Sequence, residues 1–341
     1  MYKRLIKWLG LTADITVKVY EGFGHAHNMM VWGHVLSLGP LPHKKYHKSI
    51  LRNISQLIRQ FFVKQKPGAT VQLQWGDQTI TATSETDGFF RLEWSSNESV
   101  PAGLHKVTVK CITKTGNTVA EGNGSIFVPH ITQLGIISDI DDTFLISHSA
   151  TIFKRLWLLL TRNAESRKAF EGVAEHYRLL EYAQTDSDTP NPFFYVSSSE
   201  WNLYDFLTDF IRFQKIPDGI FLLSQLKRWY QLFITGKTKH SGKFVRIVRI
   251  LQAFPKQQFL LMGDNSQKDP VIYQSMAEHY PERIKAVYIR MVVNKNHAAM
   301  NCLAQKLDSL NIPYCFFEHS REAIEHSYSI GLVKGSIVSG Q

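Results

Sequence analysis

Four stretches of the chain carry residues able to do chemistry together. The first is Gly135-Ile136-Ile137-Ser138-Asp139-Ile140-Asp141-Asp142-Thr143, a β-branched run ending in two carboxylates two positions apart and then a hydroxyl. Two inward carboxylates repel each other unless a cation or a shared proton sits between them, so this stretch predicts a metal. A carboxylate such as Asp139 can also attack phosphorus and form an acyl-phosphate. A second acid such as Asp141 can protonate the leaving oxygen and later activate water.

The second stretch, Phe193-Phe194-Tyr195-Val196-Ser197-Ser198-Ser199, reads as a strand ending in hydroxyls, with helical text from Trp201 to Phe213. Hydroxyls and free amides at a helix N-terminus bind a phosphoryl group well, which makes Ser197 and Ser198 substrate candidates alongside Thr143. Ser198 or Ser199 can also serve as a plain helix cap. The third stretch begins at Lys243, which opens an amphipathic helix containing Phe244, Ile247, Val248 and Leu251. A lysine there opposes the helix dipole, and offsetting negative charge on a phosphoryl group gives it a purpose. Lys237 and Lys239 are competitors for that role. The fourth stretch is Phe259-Leu260-Leu261-Met262-Gly263-Asp264, with Asp269 five residues later. Asp264 would complete the coordination of a hard cation with Asp139 and the backbone carbonyl of Asp141. Asp269 would hold a metal-bound water or orient the lysine. Oxygen-only ligation suits Mg²⁺ rather than zinc.

These groups need a scaffold. A chain of 341 residues is long enough for two domains. After Pro129-His130, apolar runs at Leu134 to Ile137, Phe193 to Val196, Ile220 to Leu223, Phe259 to Met262, Ala286 to Ile289 and Tyr314 to Phe317 alternate with helical text. That is the pattern of a mainly parallel sheet in an α/β domain covering 131–341. Open sheets of this kind place ligands at the carboxyl ends of their strands. Residues 1–130 read instead as short strands punctuated by turns, a small β-sandwich, with Glu21 to Gly24 as a turn or bulge and Gly122-Asn123-Gly124 among the turns. Within it, residues 43–66 take a helical period with a basic remainder. His25, His27 and His34 lack metal-type companions and read as surface or second-shell residues.

The net charge of +10 and pI near 9.4 favour an anionic partner such as a phospholipid surface or a phosphorylated substrate. The basic residues are dispersed and no nucleic-acid reader motif is found, so nucleic acid is not expected. Cys111, Cys302 and Cys315 have no metal-type spacing and suit a reducing compartment. No apolar run reaches the roughly 18 residues of a membrane span. The expectation is a cytoplasmic protein, peripheral to a membrane at most.

Together, in this order, the four stretches resemble the motifs of the haloacid dehalogenase-like phosphohydrolase superfamily. Ser138 through Thr143, Tyr195 through Tyr204 and Gly263 through Pro270 are more specifically similar to the App1 family of phosphatidate phosphatases. The chain departs from that family's usual residues at Glu200, Ser224-Gln225, Gly242 and Asn265-Ser266, and none of these removes a catalytic group. The resemblance implies a Rossmann-like parallel sheet with a small cap inserted at about 148–190. It also implies Mg²⁺-dependent release of phosphate from phosphatidate, giving diacylglycerol. Asp139 would then be the nucleophile, Asp141 the proton carrier, Ser197 and Lys243 the phosphoryl ligands, and Asp139, Asp141, Asp264 and Asp269 the metal-binding set. A soluble or protein-bound phosphate ester is the rival substrate, and a membrane-associated scaffold without catalysis the rival function.

Overall fold

The computed structural model describes residues 11, 12, 14–40, 63–140, 164–185, 188–224, 239–293 and 296–334. They fall into two compact units. One comprises the described residues of Met1–Pro129, Glu200–Leu207 and Leu223–Gly236; the other comprises those of His130–Ser199, Thr208–Leu222 and Lys237–Gln341.

The first unit is β-rich. Its strands are β1 (Leu11–Thr12), β2 (Thr16–Val19), β3 (Gly22–His25), β4 (Asn28–Pro40), β5 (Lys64–Gln65), β6 (Thr70–Trp75), β7 (Gln78–Thr83), β8 (Phe89–Trp94), β9 (Gly103–Ile112) and β10 (Thr118–Val128). Hydrogen bonds link them in the order β1-β4-β3-β10-β9-β6-β7, with β2, β5 and β8 branching from β4. Alternation sets the core: Val71 and Leu73 of β6, Phe90 and Leu92 of β8, and Val107 and Val109 of β9 are buried. They pack with Val17, Met29, Val31 and Ile126 in a single cluster.

Glycine text misleads in this unit. Residues 22–24 read as a turn or bulge and 122–124 as a turn, yet they lie inside β3 and β10. A Cβ at Gly22 would stand 2.2 Å from the Met30 carbonyl oxygen, and one at Gly122 would stand 2.2 Å from that of Val17. These glycines therefore mark close backbone approach between strands. The helix expected over 43–66 falls mostly outside the described residues, and its end is strand β5, paired with β4. His34 is fully buried rather than superficial, its Nδ1 3.0 Å from the Tyr20 hydroxyl. The unit also takes in Glu200–Leu207. Trp201 stacks on Tyr20 with ring centroids 4.3 Å apart, and Lys18 Nζ lies 2.7 Å from Asp205 Oδ2.

The second unit is α/β. It runs β11 (Gly135–Asp139), α1 (Ala164–Glu181), β12 (Phe193–Glu200), α2 (Tyr204–Phe213), β13 (Gly219–Ser224), α3 (Lys239–Ala253), β14 (Phe259–Asp264), α4 (Asp269–His279), β15 (Ile284–Arg290), α5 (His297–Ser309), β16 (Tyr314–Phe317) and α6 (Ser320–Ser329). The sheet order is β13-β12-β11-β14-β15-β16. β11 pairs in parallel with β12 and β14, as β14 does with β15 and β15 with β16. Every residue of β11 and β14 is buried, which is why these strands read as continuous apolar runs rather than alternating ones. From β11 the chain adds strands toward β13, then returns to add β14 to β16 on the other side. The reversal leaves a crevice at the carboxyl ends of β11 and β14, the usual ligand position in such sheets. Asp139 and Asp264 end those two strands.

The sequence points to a cap at about 148–190. Residues 148–163, 186 and 187 lie outside the described residues. The described part belongs to the core layer: Val173, Ala174, Tyr177 and Leu180 of α1 are buried, and His176 Nε2 lies 2.9 Å from Ser327 Oγ of α6.

Candidate active site

Three carboxylates converge at the crevice. Asp139 is the last residue of β11, Asp264 the last of β14 and Asp269 the first of α4, and each is 0% exposed. One carboxylate oxygen from each lies within 4.8 Å of the others. Gly263 makes room for this approach, since a Cβ there would stand 2.5 Å from Asp269 Oδ2. The backbone holds the acids in place: Ser266 N–H donates to Asp264 Oδ1 at 2.5 Å, and Asp264 N–H to Asp269 Oδ2 at 3.4 Å.

Lys243 lies in the second turn of α3 rather than at its opening, and is buried with the acids. Its Nζ is 3.1 Å from Asp139 Oδ2 and also donates to Asp269 Oδ1. Ionised, three carboxylates and one ammonium sum to two negative charges in a buried space, an arrangement that costs heavily without a further cation. Burial accordingly pushes Asp269 well above the ordinary carboxylate range. Lys243 pulls it back down, while Asp139 and Asp264 push it further up. An all-oxygen, carboxylate-rich set with excess negative charge fits a hard divalent cation, and Asp139, Asp264 and Asp269 are the described residues that could hold one. Asp141, including its backbone carbonyl, and Thr143 and Lys237 lie outside the described residues.

The serine stretch arrives from the neighbouring strand. Val196 is the register partner of Asp139, and Ser197 follows it, fully buried. Ser197 Oγ accepts the Ser199 N–H at 2.9 Å. β12 continues through Glu200, so Ser197 and Ser198 sit at a strand end rather than at a helix N-terminus. Glu200, not a serine, occupies the cap position of the 3₁₀ turn Trp201–Leu203.

Two supporting residues are not apparent from the motifs. Arg246 donates from Nη2 to the Ser197 carbonyl at 3.1 Å. It stands three residues after Lys243, so the helical period that turns Lys243 toward the acids also places Arg246 on nearly the same face. Thus α3 touches both the carboxylate cluster and the serine stretch. Asn265 is fully buried, and its Oδ1 accepts the amides of Val292 and Val293 at 2.7 and 3.0 Å. That contact ties the β14 loop to the loop after β15 and has no local sequence signal.

The unit is thus an α/β protein with a buried acid–lysine centre, able to hold a cation, at the switch point of a parallel sheet. Residues 134–291 match the family model described as phosphatidate phosphatase APP1, catalytic domain. Phosphatidate phosphatase APP1 of Saccharomyces cerevisiae is 31% identical over 163 residues, 47% of this chain and 26% of that protein. An uncharacterized protein of Schizosaccharomyces pombe is 24% identical over 179 residues, 52% of this chain and 28% of that one. The chain thus spans only 26% and 28% of the length of these relatives. A bacterial immunoglobulin-like domain from the M. primoryensis ice-binding adhesin aligns with 34% of this chain and 97% of that domain. Its 17% identity and TM-score of 0.18 carry no argument.

Proposed function

We propose that this protein is a Mg²⁺-dependent phosphatidate phosphatase that releases diacylglycerol and phosphate through an aspartyl-phosphate. The observation that carries this reading is the buried contact of Lys243 with Asp139 and Asp269, with Asp264 in reach, inside the region that matches the App1 catalytic domain. Asp139 attacks phosphorus and the bond to the lipid oxygen breaks. Asp141 gives that oxygen a proton, then takes one from the water that cleaves the acyl-phosphate and restores Asp139. Ser197 and Lys243 hold the phosphoryl oxygens, with Ser198 and Thr143 beside them. Bound by Asp139, Asp141, Asp264 and Asp269, Mg²⁺ supplies charge neutralisation at the phosphoryl group.

On this reading residues 131–341 form a Rossmann-like, haloacid dehalogenase-like domain, which the strand order and the position of the carboxylates support. Residues 1–130 form a sandwich-like support domain. Among the described residues no helix is long and apolar enough to cross a membrane. The basic charge suits a cytoplasmic protein docking peripherally on an anionic lipid surface. The test is phosphate release from phosphatidate in mixed micelles and from water-soluble phosphoesters, with and without Mg²⁺. Preference for phosphatidate, dependence on Mg²⁺ and loss of turnover in Asp139→Asn are expected. Preference for the soluble esters would reject the lipid assignment, and turnover in the variant would reject the nucleophile.

A further inference from the structure

The strand ends that carry Asp139 and Asp264 are each gripped by a buried tyrosine. Tyr177 of α1 is 2% exposed and its hydroxyl lies 2.8 Å from Ser138 Oγ. Ser138 Oγ in turn lies 2.9 Å from the Asp139 carbonyl oxygen, to which it donates. A hydroxyl has one proton to give, so the proton between Tyr177 and Ser138 comes from the tyrosine. The relay runs from Tyr177 through Ser138 to the main chain of Asp139. On the adjacent strand, Tyr273 of α4 is fully buried and donates to the Met262 carbonyl at 2.8 Å, two residues before Asp264. Tyr273 stands four residues after Asp269, one turn along the same helical face. One face of α4 therefore offers a carboxylate to the site and a hydroxyl to the strand beneath it.

Neither bond is needed to satisfy a helix or to close the sheet, and both act on the main chain next to a reacting or ligating group. We propose that Tyr177, acting through Ser138, and Tyr273 are positioning residues that fix Asp139 and Asp264 at the spacing the bound cation and phosphoryl group require. The proposal rests on the phosphatase reading for its effect on turnover, but not for its effect on the main chain.

The test compares Tyr177→Phe and Tyr273→Phe with Tyr288→Phe in the full-length protein. Tyr288 is equally buried, and its hydroxyl lies 2.8 Å from Ser327 Oγ and 3.2 Å from His326 Nδ1, both on α6. Losing an outer-shell partner should lower Mg²⁺ affinity and kcat by roughly 10-fold with KM nearly unchanged. Tyr288→Phe should leave these values as they are while shifting the melting temperature by a similar amount. Amide exchange should quicken around residue 139 in Tyr177→Phe and around residue 264 in Tyr273→Phe. Ser138→Ala should give the full loss on its strand, with no further loss when Tyr177→Phe is added. Additive losses would overturn the relay. Unchanged exchange at both strand ends, or losses equal to those of Tyr288→Phe, would overturn the proposal. A wild type that binds Mg²⁺ yet releases no phosphate from phosphatidate would reject the phosphatase reading instead, leaving the exchange and affinity comparisons to decide on the tyrosines.

Discussion

Lys243 and Asp139 are buried against one another, with Nζ 3.1 Å from Oδ2 and the two side chains 3% and 0% exposed. The same ammonium also holds Asp269. A single buried cation therefore serves two acids that stand on different elements, the end of β11 and the start of α4.

That sharing makes the two partners unequal under substitution. Lys243→Met leaves three buried carboxylates without their ammonium and should cost about 3–5 kcal/mol, the usual result of stranding a buried charge. Asp139→Asn leaves the Lys243–Asp269 pair intact and removes one of the excess buried negative charges, so it should cost at most about 1 kcal/mol, the scale of one altered hydrogen bond. Urea unfolding of both variants without added metal measures the difference. Similar losses in the two proteins would contradict the shared-cation account.

Gly263 is the second sensitive point. A methyl group there would stand 2.5 Å from Asp269 Oδ2, so Gly263→Ala must push the start of α4 away from β14. Overpacking of this kind costs about 1–3 kcal/mol. Activity should fall further than stability does, because the displaced group is Asp269 and with it the anchor of Lys243. Kinetics and thermal melting of the same preparation check this, and a variant with wild-type turnover would show that Asp269 can move without consequence.

Acid should weaken the protein through its buried histidines. Burial is the main force lowering His176 to about 3, with His326 adding to it, and burial likewise lowers His34 to about 3 with Lys18 adding to it. Both stay neutral in the folded state at pH 5, whereas the unfolded chain takes up protons below about pH 6.5. Between those limits the unfolded state binds more protons, so stability falls as pH falls. Each histidine contributes at most about 1.4 kcal/mol per pH unit in that window. Denaturant midpoints for wild type and His176→Gln at pH 7, 6 and 5 should diverge in slope, the variant being flatter. Parallel slopes would dismiss His176 as a contributor.

The legible parts of this molecule are those in which a local run carries the signal. Phe259 to Met262 and Phe193 to Val196 are apolar throughout because both faces of the sheet are covered, and both lie in parallel strands. Asp139 and Asp264 follow such runs directly, so their arrival at one sheet edge was readable from order alone. Lys243 was readable as a cation on an amphipathic helix, though the helix begins four residues earlier, at Lys239. The hidden parts depend on distant main chain. Nothing near Asn265 signals that it binds Val292 and Val293, and nothing near Tyr177 signals Ser138. The helix of Ala164–Glu181 was legible as a helix, but its text shows an amphipathic face without showing which surface covers it.

The Trp201–Tyr20 stack bears on how this protein is to be taken apart. A gene trimmed to begin after Pro129 would still encode Trp201, Tyr204 and Asp205, but not Tyr20 or Lys18. Trp201 is 5% exposed in the intact chain, and the trimmed product would bare its indole together with the Tyr204 ring that lies 4.5 Å from Tyr20. In sequence the halves meet at one proline; in the folded chain, the first unit includes Glu200–Leu207, which are translated after β11 and most of β12 of the second unit.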